Sequence, residues 1–327
     1  MTSSQLSTLE ICAGAGGQSY GLEMAGFSHE LAVEIDRDAA ATLRLNRPEW
    51  RVHEGDVREV SGKDYRGIDL LAGGVPCPPF SLAGKQLGAD DERDLFPEAL
   101  RLVREARPAA VMLENVRGLA SARFAPYRQS ILEGLALLGY QADWQLLLSS
   151  EFGVPQLRPR FILVALRKSK FQKFQWPGAF GSPTTVGDSL LPLMAANGWS
   201  GAETWARKAQ GIAPTVVGGS KKHGGADLGP TRAKAAWLRL GVDGKGIADE
   251  APSDAHPFRH TPRLTNEMVS RIQGFDASWK FSGRKTSVYR QIGNAFPPPV
   301  AHSVGSSIRR ALGAGEITAQ RRLRIVA

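Results

Sequence analysis

The stretch IDLLAGGVPCPPFS, residues 68–81, decides the architecture that this sequence predicts. It begins with a short apolar run that stops at Gly73 and Gly74, which is the length of a buried parallel strand. A stiff loop follows, because prolines on both sides of Cys77 restrict the backbone there. The pattern places one thiol at the carboxyl edge of a sheet, where open α/β sheets bind their ligands. Cys77 is therefore either a nucleophile or a buried structural cysteine, which is the commoner fate of a free thiol.

Three strand ends before this stretch predict a cofactor site in a doubly wound α/β fold. A strand at 8–12 runs into the glycine-rich turn AGAGG at 13–17, and a helical pattern follows. Glu34 ends a second strand, 20 residues beyond Gly14, where an acid can accept hydrogen bonds from ribose hydroxyls. Asp56 ends a third strand and is suited to an adenine amino group. Each acid alone would also serve as a helix cap, and their order across three strand ends favours the cofactor.

After the Cys77 loop the chain supplies further polar residues at predicted strand ends. The glycine-punctuated polar stretch at 84–94 is typical of a mobile lid. The next buried strand carries Glu114 at its carboxyl end, so we expect Cys77 and Glu114 at one edge of the sheet. Arg158 and Arg160 stand two residues apart on extended backbone and point the same way, as a surface patch also would.

Composition and charge narrow the class of protein. Cys12 and Cys77 form neither a disulfide framework nor a metal-ligand pattern, which indicates a reducing compartment. The 327 residues contain no apolar run long enough for a membrane span and no signal-peptide pattern, so we expect an intracellular protein. Residues 1–167 are mildly acidic, whereas residues 168–263 carry 13 Lys and Arg against 7 Asp and Glu. This division predicts a cofactor half beside a nucleic-acid half, with a solvated basic face as the alternative.

The motifs, taken in order, resemble those of the DNA cytosine-5 methyltransferases of bacterial restriction–modification systems. The resemblance covers nearly the whole chain and leaves only the middle variable. The turn at 13–17 resembles the family's S-adenosylmethionine loop, residues 76–81 its nucleophile motif and residues 114–116 its catalytic glutamate motif. The remaining similarities are Gln156-x-Arg158-x-Arg160, Thr215-Val216, and residues 263–265, 271–275 and 293–295.

The resemblance implies the residues of the reaction. The Cys77 thiolate would add to C6 of a cytosine flipped out of the duplex, Glu114 would hold N3 and the exocyclic amine, and Arg160, assisted by Arg158, would bind O2. The cofactor is S-adenosyl-L-methionine, and its product is S-adenosyl-L-homocysteine. The implied cofactor residues are Cys12, Ala13, Gly14, Gly16, Gly17, Glu34, Ile35, Asp56, Val57, Pro76, Leu95, Asn294 and Ala295. The implied DNA contacts are Ser81, Lys85, Gln86, Gln156, Thr215, Lys221, Lys222 and Arg263.

The same resemblance implies the domain organisation and the partners. Residues 1–170 and 286–327 would form a doubly wound, Rossmann-like catalytic domain, and residues 171–285 a smaller, irregular target-recognition domain with a hinge. We expect double-stranded DNA as the partner and a cognate restriction endonuclease that acts separately. We also expect a cytoplasmic monomer without a metal and without membrane contact.

Three departures and three rival functions accompany this interpretation. Pro78 stands where bacterial members more often have Gln, Cys12 where an aromatic residue is usual, and Pro159 where a charged residue is frequent. The first rival is a tRNA cytosine-5 methyltransferase of the DNA-type branch, although the second thiol typical of RNA enzymes is missing. The second is a non-catalytic DNA-binding regulator, which the intact Cys77, Glu114 and Arg160 disfavour. The third is a nicotinamide-dependent oxidoreductase, which the glycine pattern disfavours.

Overall fold

The computed structural model describes residues 5–76, 94–180, 184–219 and 225–315. The chain forms two compact units. The first consists of Met1–Leu147, Pro159–Gly178 and Val300–Ala327, and the second of Leu148–Arg158 and Ala179–Pro299. Across the described ranges, no helix combines the length and the apolar character that crossing a membrane requires.

A seven-stranded sheet forms the first unit. Its strands are β1 (Leu6–Ile11), β2 (Phe27–Glu34), β3 (Val52–Glu54), β4 (Leu70–Gly73), β5 (Ala110–Val116), β6 (Tyr140–Leu148) and β8 (Pro159–Arg167). The short strand β7 (Gln156–Leu157) belongs to the second unit. They lie in the order β3-β2-β1-β4-β5-β8-β6. The pairs among β1 to β5 are parallel, whereas β8 runs antiparallel to β5. This is the predicted doubly wound sheet, with β1 and β4 adjacent at the point where the strand order reverses.

The helices of this unit follow the strand–helix alternation of the sequence. They are α1 (Gly17–Met24), α2 (Arg37–Asn46), α3 (Phe96–Ala106), α4 (Ala125–Leu137), α5 (Lys168–Phe171) and α11 (Pro298–Leu312). The first two residues of α11 are counted with the second unit, and the helix belongs to the first unit from Val300 onward. The central strands are buried on both faces, and Ala110 to Leu113 of β5 are 0% exposed. Near-continuous apolar strands of this kind are what a parallel sheet covered on both sides requires.

A polar pair lies within this apolar interior. The side chains of Glu10 on β1 and His29 on β2 are both fully buried, and His29 Nε2 lies 2.7 Å from Glu10 Oε2. The His29 ring stacks on Trp50 with 4.1 Å between ring centroids. Buried ionisable groups are stable only when they are paired in this way.

The second unit has a helical core. Its elements are β7, α6 (Val186–Ala195), α7 (Ala202–Lys208), β9 (Ala213–Pro214), α8 (Thr231–Arg239), α9 (Asn266–Ile272) and α10 (Lys285–Asn294). Buried tryptophans at 199, 205 and 237 anchor its hydrophobic cluster. The sequence predicts the helix near 265–274, but it gives no elements for 186–239. The unit takes in residues 286–299 and 148–158, which the sequence places in the catalytic domain, so the functional division at 171–285 stays a prediction.

Candidate active site

The carboxyl ends of β1, β4 and β5 meet at one edge of the sheet. Gly73 pairs with Ile11 on one side and Leu113 on the other, and a Cβ at this glycine would lie 2.6 Å from the Ile11 carbonyl oxygen. Only glycine permits this approach. A Cβ on the next residue, Gly74, would lie 3.4 Å from Glu114 Oε2 and 3.6 Å from the Cys12 carbonyl oxygen. The predicted catalytic glutamate therefore stands beside the turn that leaves β4.

Glu114 and Arg160 form an ion pair at this edge. Arg160 Nε lies 2.7 Å from Glu114 Oε1, and their side chains are 9% and 12% exposed, respectively. The antiparallel register explains the pairing, because Val116 at the end of β5 lies opposite Arg160 at the start of β8. Burial lowers the pKa of the Arg160 guanidinium, and the charge of Glu114 opposes that shift. The pair presents a carboxylate and a guanidinium side by side in a nearly dry site, where each acts more strongly than in water.

Asn115 links this pair to the segment that leads into Cys77. Its Nδ2 donates to the Val75 carbonyl oxygen at 2.8 Å, and its side chain is buried. The next residue is held as well, because the Leu95 N–H donates to the Pro76 carbonyl oxygen at 3.2 Å. Asn115 lies in the motif at 114–116, but the sequence predicts no role for it, because its bond to the Val75 carbonyl becomes visible only in the fold.

Glu34 organises the ends of β1 and β2. Its Oε2 accepts the Gly14 N–H and its Oε1 the Asp36 N–H, both at 2.7 Å. Burial raises the pKa of Glu34, and these backbone donors oppose the rise. Cys12, in the same turn, has a pKa raised to about 12, mainly by burial and further by Glu34, so its thiol stays protonated.

Asp56 lies two residues beyond β3 and caps the short helical turn at Val57–Glu59. Its Oδ1 accepts the Arg58 N–H, and its Oδ2 pairs with Arg58 Nη1, both at 2.9 Å. The Arg58 backbone donor lowers the pKa of Asp56 more than its small burial raises it. Asp56 is therefore an ionised cap just beyond the carboxyl end of β3, and its predicted adenine contact stays a prediction.

A model of the C-5 cytosine-specific DNA methylase family matches residues 6–310 of the chain. The chain belongs to this family. Type II methyltransferase M.NaeI of Lentzea aerocolonigenes is 61% identical over 311 residues, covering 94% of this chain and 75% of the relative. Type II methyltransferase M.NgoMIV of Neisseria gonorrhoeae is 54% identical over 312 residues, covering 94% of this chain and 98% of the relative. The predicted enzyme class is confirmed, and neither the tRNA enzyme nor the oxidoreductase is favoured.

Solved structures agree on the fold of this methylase. A DNA modification methyltransferase encoded within an E. coli prophage has a TM-score of 0.66 at 23% identity, with 94% of this chain and 99% of that chain covered. Spodoptera frugiperda DNMT2 has a TM-score of 0.66 at 17% identity, with 93% and 99% covered. At these identities the likeness shows the fold, and it confirms the predicted Rossmann-like sheet.

The residues that follow β1 and β2 fit S-adenosylmethionine. Gly14 has a φ of +56° and open space where a Cβ would stand, so a ligand can approach its backbone. The Gln18 side chain is 3% exposed, and neither of its amide atoms has a hydrogen-bond partner among the described residues. Ile35 is 70% exposed beside the Glu34 carboxylate. The Glu34 carboxylate and the Gln18 amide suit the polar groups of the cofactor. The open backbone at Gly14 and the apolar surface of Ile35 suit its close approach and its purine ring. No feature of the sequence singles out Gln18, because its burial appears only in the fold.

Six of the predicted site residues lie in the described part of the second unit, and the structure shows how buried each is or which groups it bonds. Arg158, which the resemblance implies as the assistant of Arg160, is 1% exposed and donates to the carbonyl oxygens of Val216, Gly293 and Ala295. The sequence predicts a DNA contact for Gln156, and the structure buries this side chain completely, with interior hydrogen bonds instead. The Thr215 hydroxyl donates to the Leu157 carbonyl oxygen. Arg263 is half-exposed, and its Nε lies 2.8 Å from Asp243 Oδ2. Asn294 is exposed and Ala295 is buried.

Several predicted residues lie outside the described part of the chain. They are the nucleophile Cys77 and the DNA contacts Ser81, Lys85, Gln86, Lys221 and Lys222. Their roles stay predictions that rest on the sequence.

Proposed function

We propose that this methylase uses S-adenosylmethionine to methylate C5 of one cytosine in a short duplex DNA sequence, as the modification enzyme of a restriction–modification system. The observation that carries the proposal is the buried ion pair of Glu114 and Arg160 at the carboxyl edge of the sheet. Two relatives that are 61% and 54% identical and carry the name Type II methyltransferase support the biological context.

The ion pair is complementary to one edge of cytosine. The carboxylate of Glu114 accepts a hydrogen bond from the exocyclic amine, and the guanidinium of Arg160 donates to O2. Part of the bond between the two side chains is then exchanged for bonds to the base. As negative charge develops on the ring, Arg160 stabilises it at O2. The Glu114 carboxylate, which takes up a proton from solvent when the base binds, passes this proton to N3 and takes it back when Cys77 leaves.

Cytosine C5 is a weak nucleophile until a group adds at C6. The thiolate of Cys77 forms the S–C6 bond, which turns the ring into an enamine with electron density at C5. S-adenosylmethionine, when bound, supplies an electrophilic methyl group. A base then removes the C5 proton, and the S–C6 bond breaks to release Cys77. The cytosine reaches these groups only outside the stack, and flipping it out of the duplex costs a few kcal/mol.

We assign the cofactor to the edge formed by β1, β2 and β3. Glu34 binds the ribose hydroxyls, Ile35 covers one face of the adenine, and Asp56 binds the adenine amino group. Gln18 supplies a further amide to the same ligand, because its own buried polar atoms have no partner among the described residues. These residues bind and orient the methyl donor, and none of them exchanges a proton with the base.

The remaining expectations concern the setting of the enzyme. The second unit would read the target sequence, the protein would act as a monomer, and a separate endonuclease would cut unmethylated sites. Because its substrate would be chromosomal DNA, we place the enzyme in the cytoplasm.

The decisive experiment is to map 5-methylcytosine in the DNA of a host without other cytosine methylation that expresses the protein. We expect methylation at one cytosine of one short sequence, and none from Cys77→Ser at an equal protein level. Transfer of tritium from the methyl group of S-adenosylmethionine to plasmid DNA gives the same answer in vitro. Methylation at no defined sequence, or undiminished methylation by Cys77→Ser, would refute the proposal.

A further inference from the structure

Helix α8 carries only basic charge and is exposed along one side. Its sequence, TRAKAAWLR, holds three basic residues and no Asp or Glu. The exposed residues of the helix are Thr231, Arg232, Ala235, Leu238 and Arg239. At 3.6 residues per turn they lie within about a third of the helix circumference, so they form one continuous stripe with Ala235 at its centre and an arginine toward each end.

The opposite side of α8 is fixed to the interior of the second unit. Trp237 is 0% exposed and belongs to the hydrophobic cluster of this unit. Lys234 Nζ lies 2.8 Å from Asp227 Oδ2, and Asp227 Oδ1 accepts the Gly229 N–H at 2.9 Å. Asp227 therefore holds both the helix and the chain that leads into it. The exposed stripe is presented by a rigid element.

Arg232 and Arg239 are the charged members of the stripe. Across the described residues, neither guanidinium has a hydrogen bond or an ion pair. By contrast, Lys234, Arg263 and Lys285 of the same unit each pair with an aspartate. The two arginines stand two helical turns apart, which is about 10 Å along the axis. This is roughly the rise of three base pairs of duplex DNA.

The start of α8 lies beside an exposed segment that follows the predicted DNA contact Thr215. A Cβ on Gly229 would lie 3.2 Å from Val217 Cγ2, and Val217 is 48% exposed. The backbone behind Val217 is held against α10, because a Cβ on Gly293 would lie 2.5 Å from the Gly218 Cα. Val217 and the exposed stripe of α8 are therefore neighbours on one unit.

We propose that α8 is a specificity-determining element that enters the major groove of the target duplex, where Arg232 and Arg239 each read a guanine. The inference rests on the proposed function, which gives target recognition to the second unit. An α-helix fits the major groove, and an arginine there donates two hydrogen bonds to O6 and N7 of guanine. The small side chain of Ala235, between the two arginines, lets the helix approach the base edges closely.

The charge of α8 favours duplex DNA over other occupants of its exposed stripe. A helix with three basic residues and no acidic one complements the phosphates that line both sides of the groove. Phosphate contacts alone would position the protein without reading sequence. The free guanidinium groups of the stripe supply the paired donors that reading requires, and their spacing predicts two guanines about three base pairs apart.

The test measures kcat/KM for methyl transfer to the mapped target duplex and to every duplex that differs from it at one base pair. The ratio of the two values is the discrimination at that position. Arg232→Ala and Arg239→Ala remove the donors, and thermal midpoints confirm that the variants fold. Arg232→Gln supplies a side chain whose amide matches adenine instead of guanine. The matched control is Arg207→Ala, at an exposed arginine in the last turn of α7.

We expect each alanine variant to lose discrimination at one G·C pair by about 5- to 150-fold and to keep it at the other positions. The two affected pairs should stand about three base pairs apart. In the double variant the two losses should multiply, because the arginines are distant and share no partner. Arg232→Gln should accept A·T better than the other substitutions at its position. Arg207→Ala should match wild type at every position.

Two results would overturn the inference and leave the proposed function standing. One is a uniform loss of affinity for every duplex with a smaller salt dependence, which would place the arginines on phosphates. The other is unchanged discrimination at every position in both alanine variants, which would place α8 outside the groove. A wild-type protein that methylates no defined sequence would instead refute the proposed function, and the inference with it.

Discussion

At the scale of single residues, the pairing of Glu114 with Arg160 means that neither can be changed alone without a double effect. Glu114→Gln keeps the size of the side chain and its hydrogen-bonding oxygen. It loses the charge opposite Arg160 and the ability to pass a proton to the base. We expect the methyl-transfer rate to fall by roughly a hundredfold or more. We also expect the thermal midpoint to fall, because a buried guanidinium is left without its counter-charge. Rate and midpoint both unchanged would remove Glu114 from the site.

Glu133→Gln is the matched control, since it makes the same chemical change on the exposed side of α4. There the side chain accepts a hydrogen bond from Gln129. Both the transfer rate and the thermal midpoint should match those of wild type.

Glu34 gives a prediction about pH. Burial raises the pKa of this carboxyl, so it takes up a proton at a pH where an ordinary glutamate is still ionised. Only the ionised form accepts hydrogen bonds from both ribose hydroxyls. The affinity for S-adenosylhomocysteine should therefore fall on acidification, beginning above the usual glutamate range. Glu34→Gln should bind about 1–3 kcal/mol more weakly at neutral pH and lose this pH dependence. Titration calorimetry between pH 5 and 8 checks both, and parallel pH profiles would mean that Glu34 is not the titrating group.

The residues also show what spacing can and cannot predict. The spacing of Gly14 and Glu34 predicts a ribose contact for Glu34, which stays a prediction, and the structure adds a 2.7 Å hydrogen bond from the Gly14 N–H to Glu34 that the spacing does not predict. Arg158 was paired with Arg160 because the two alternate on extended backbone. Its three carbonyl partners lie 58 to 137 residues further along the chain, so no local pattern reveals that it is buried.

At the scale of elements, the same contrast holds. Apolar runs predict the strands of the parallel core, but they do not show that β8 runs antiparallel to β5, and that direction is what brings Arg160 to Glu114. Helix α6 was not predicted, because Pro192 lies inside it and proline normally ends a helix. The helices of the second unit are short and owe their stability to packing around Trp199, Trp205 and Trp237.

Asn115 connects two of these elements and can be tested separately. Asn115→Asp keeps the oxygen that accepts the Val116 N–H and loses the donor to the Val75 carbonyl, two residues before Cys77. We expect covalent trapping on DNA with 5-fluorocytosine at the target to slow by roughly ten- to a hundredfold, because small misplacements of a nucleophile are costly. The affinity for S-adenosylhomocysteine should stay within about twofold.

The control for this change is Asn197→Asp, which removes a similar bond to the Ala251 carbonyl in the second unit. It should trap DNA at the wild-type rate. Trapping by Asn115→Asp that is as fast as wild type would show that the bond to Val75 does not position the nucleophile.

At the scale of the whole molecule, the two compact units suggest where a chimera should be joined. Residues 148–158 belong with residues 179–299, and Gln156 and Arg158 of the first stretch bond to Gln273 and to the backbone carbonyls of Val216, Gly293 and Ala295 in the second. Replacing both stretches by those of a Type II relative with a different target should move methylation to the relative's sequence and preserve the rate. Bisulfite sequencing of host DNA reads the outcome. A folded, active chimera that still methylates the original sequence would contradict the assignment of recognition to the second unit.

The close packing of Gly218 against Gly293 also constrains how this enzyme can be altered in the laboratory. A Cβ on Gly293 would lie 2.5 Å from the Gly218 Cα, so substitution at either glycine should prevent folding, whereas the neighbouring Val217 is 48% exposed. A selection library should therefore leave both glycines unvaried and randomise Val217. The survivors of such a library would sample new surfaces on an unchanged backbone.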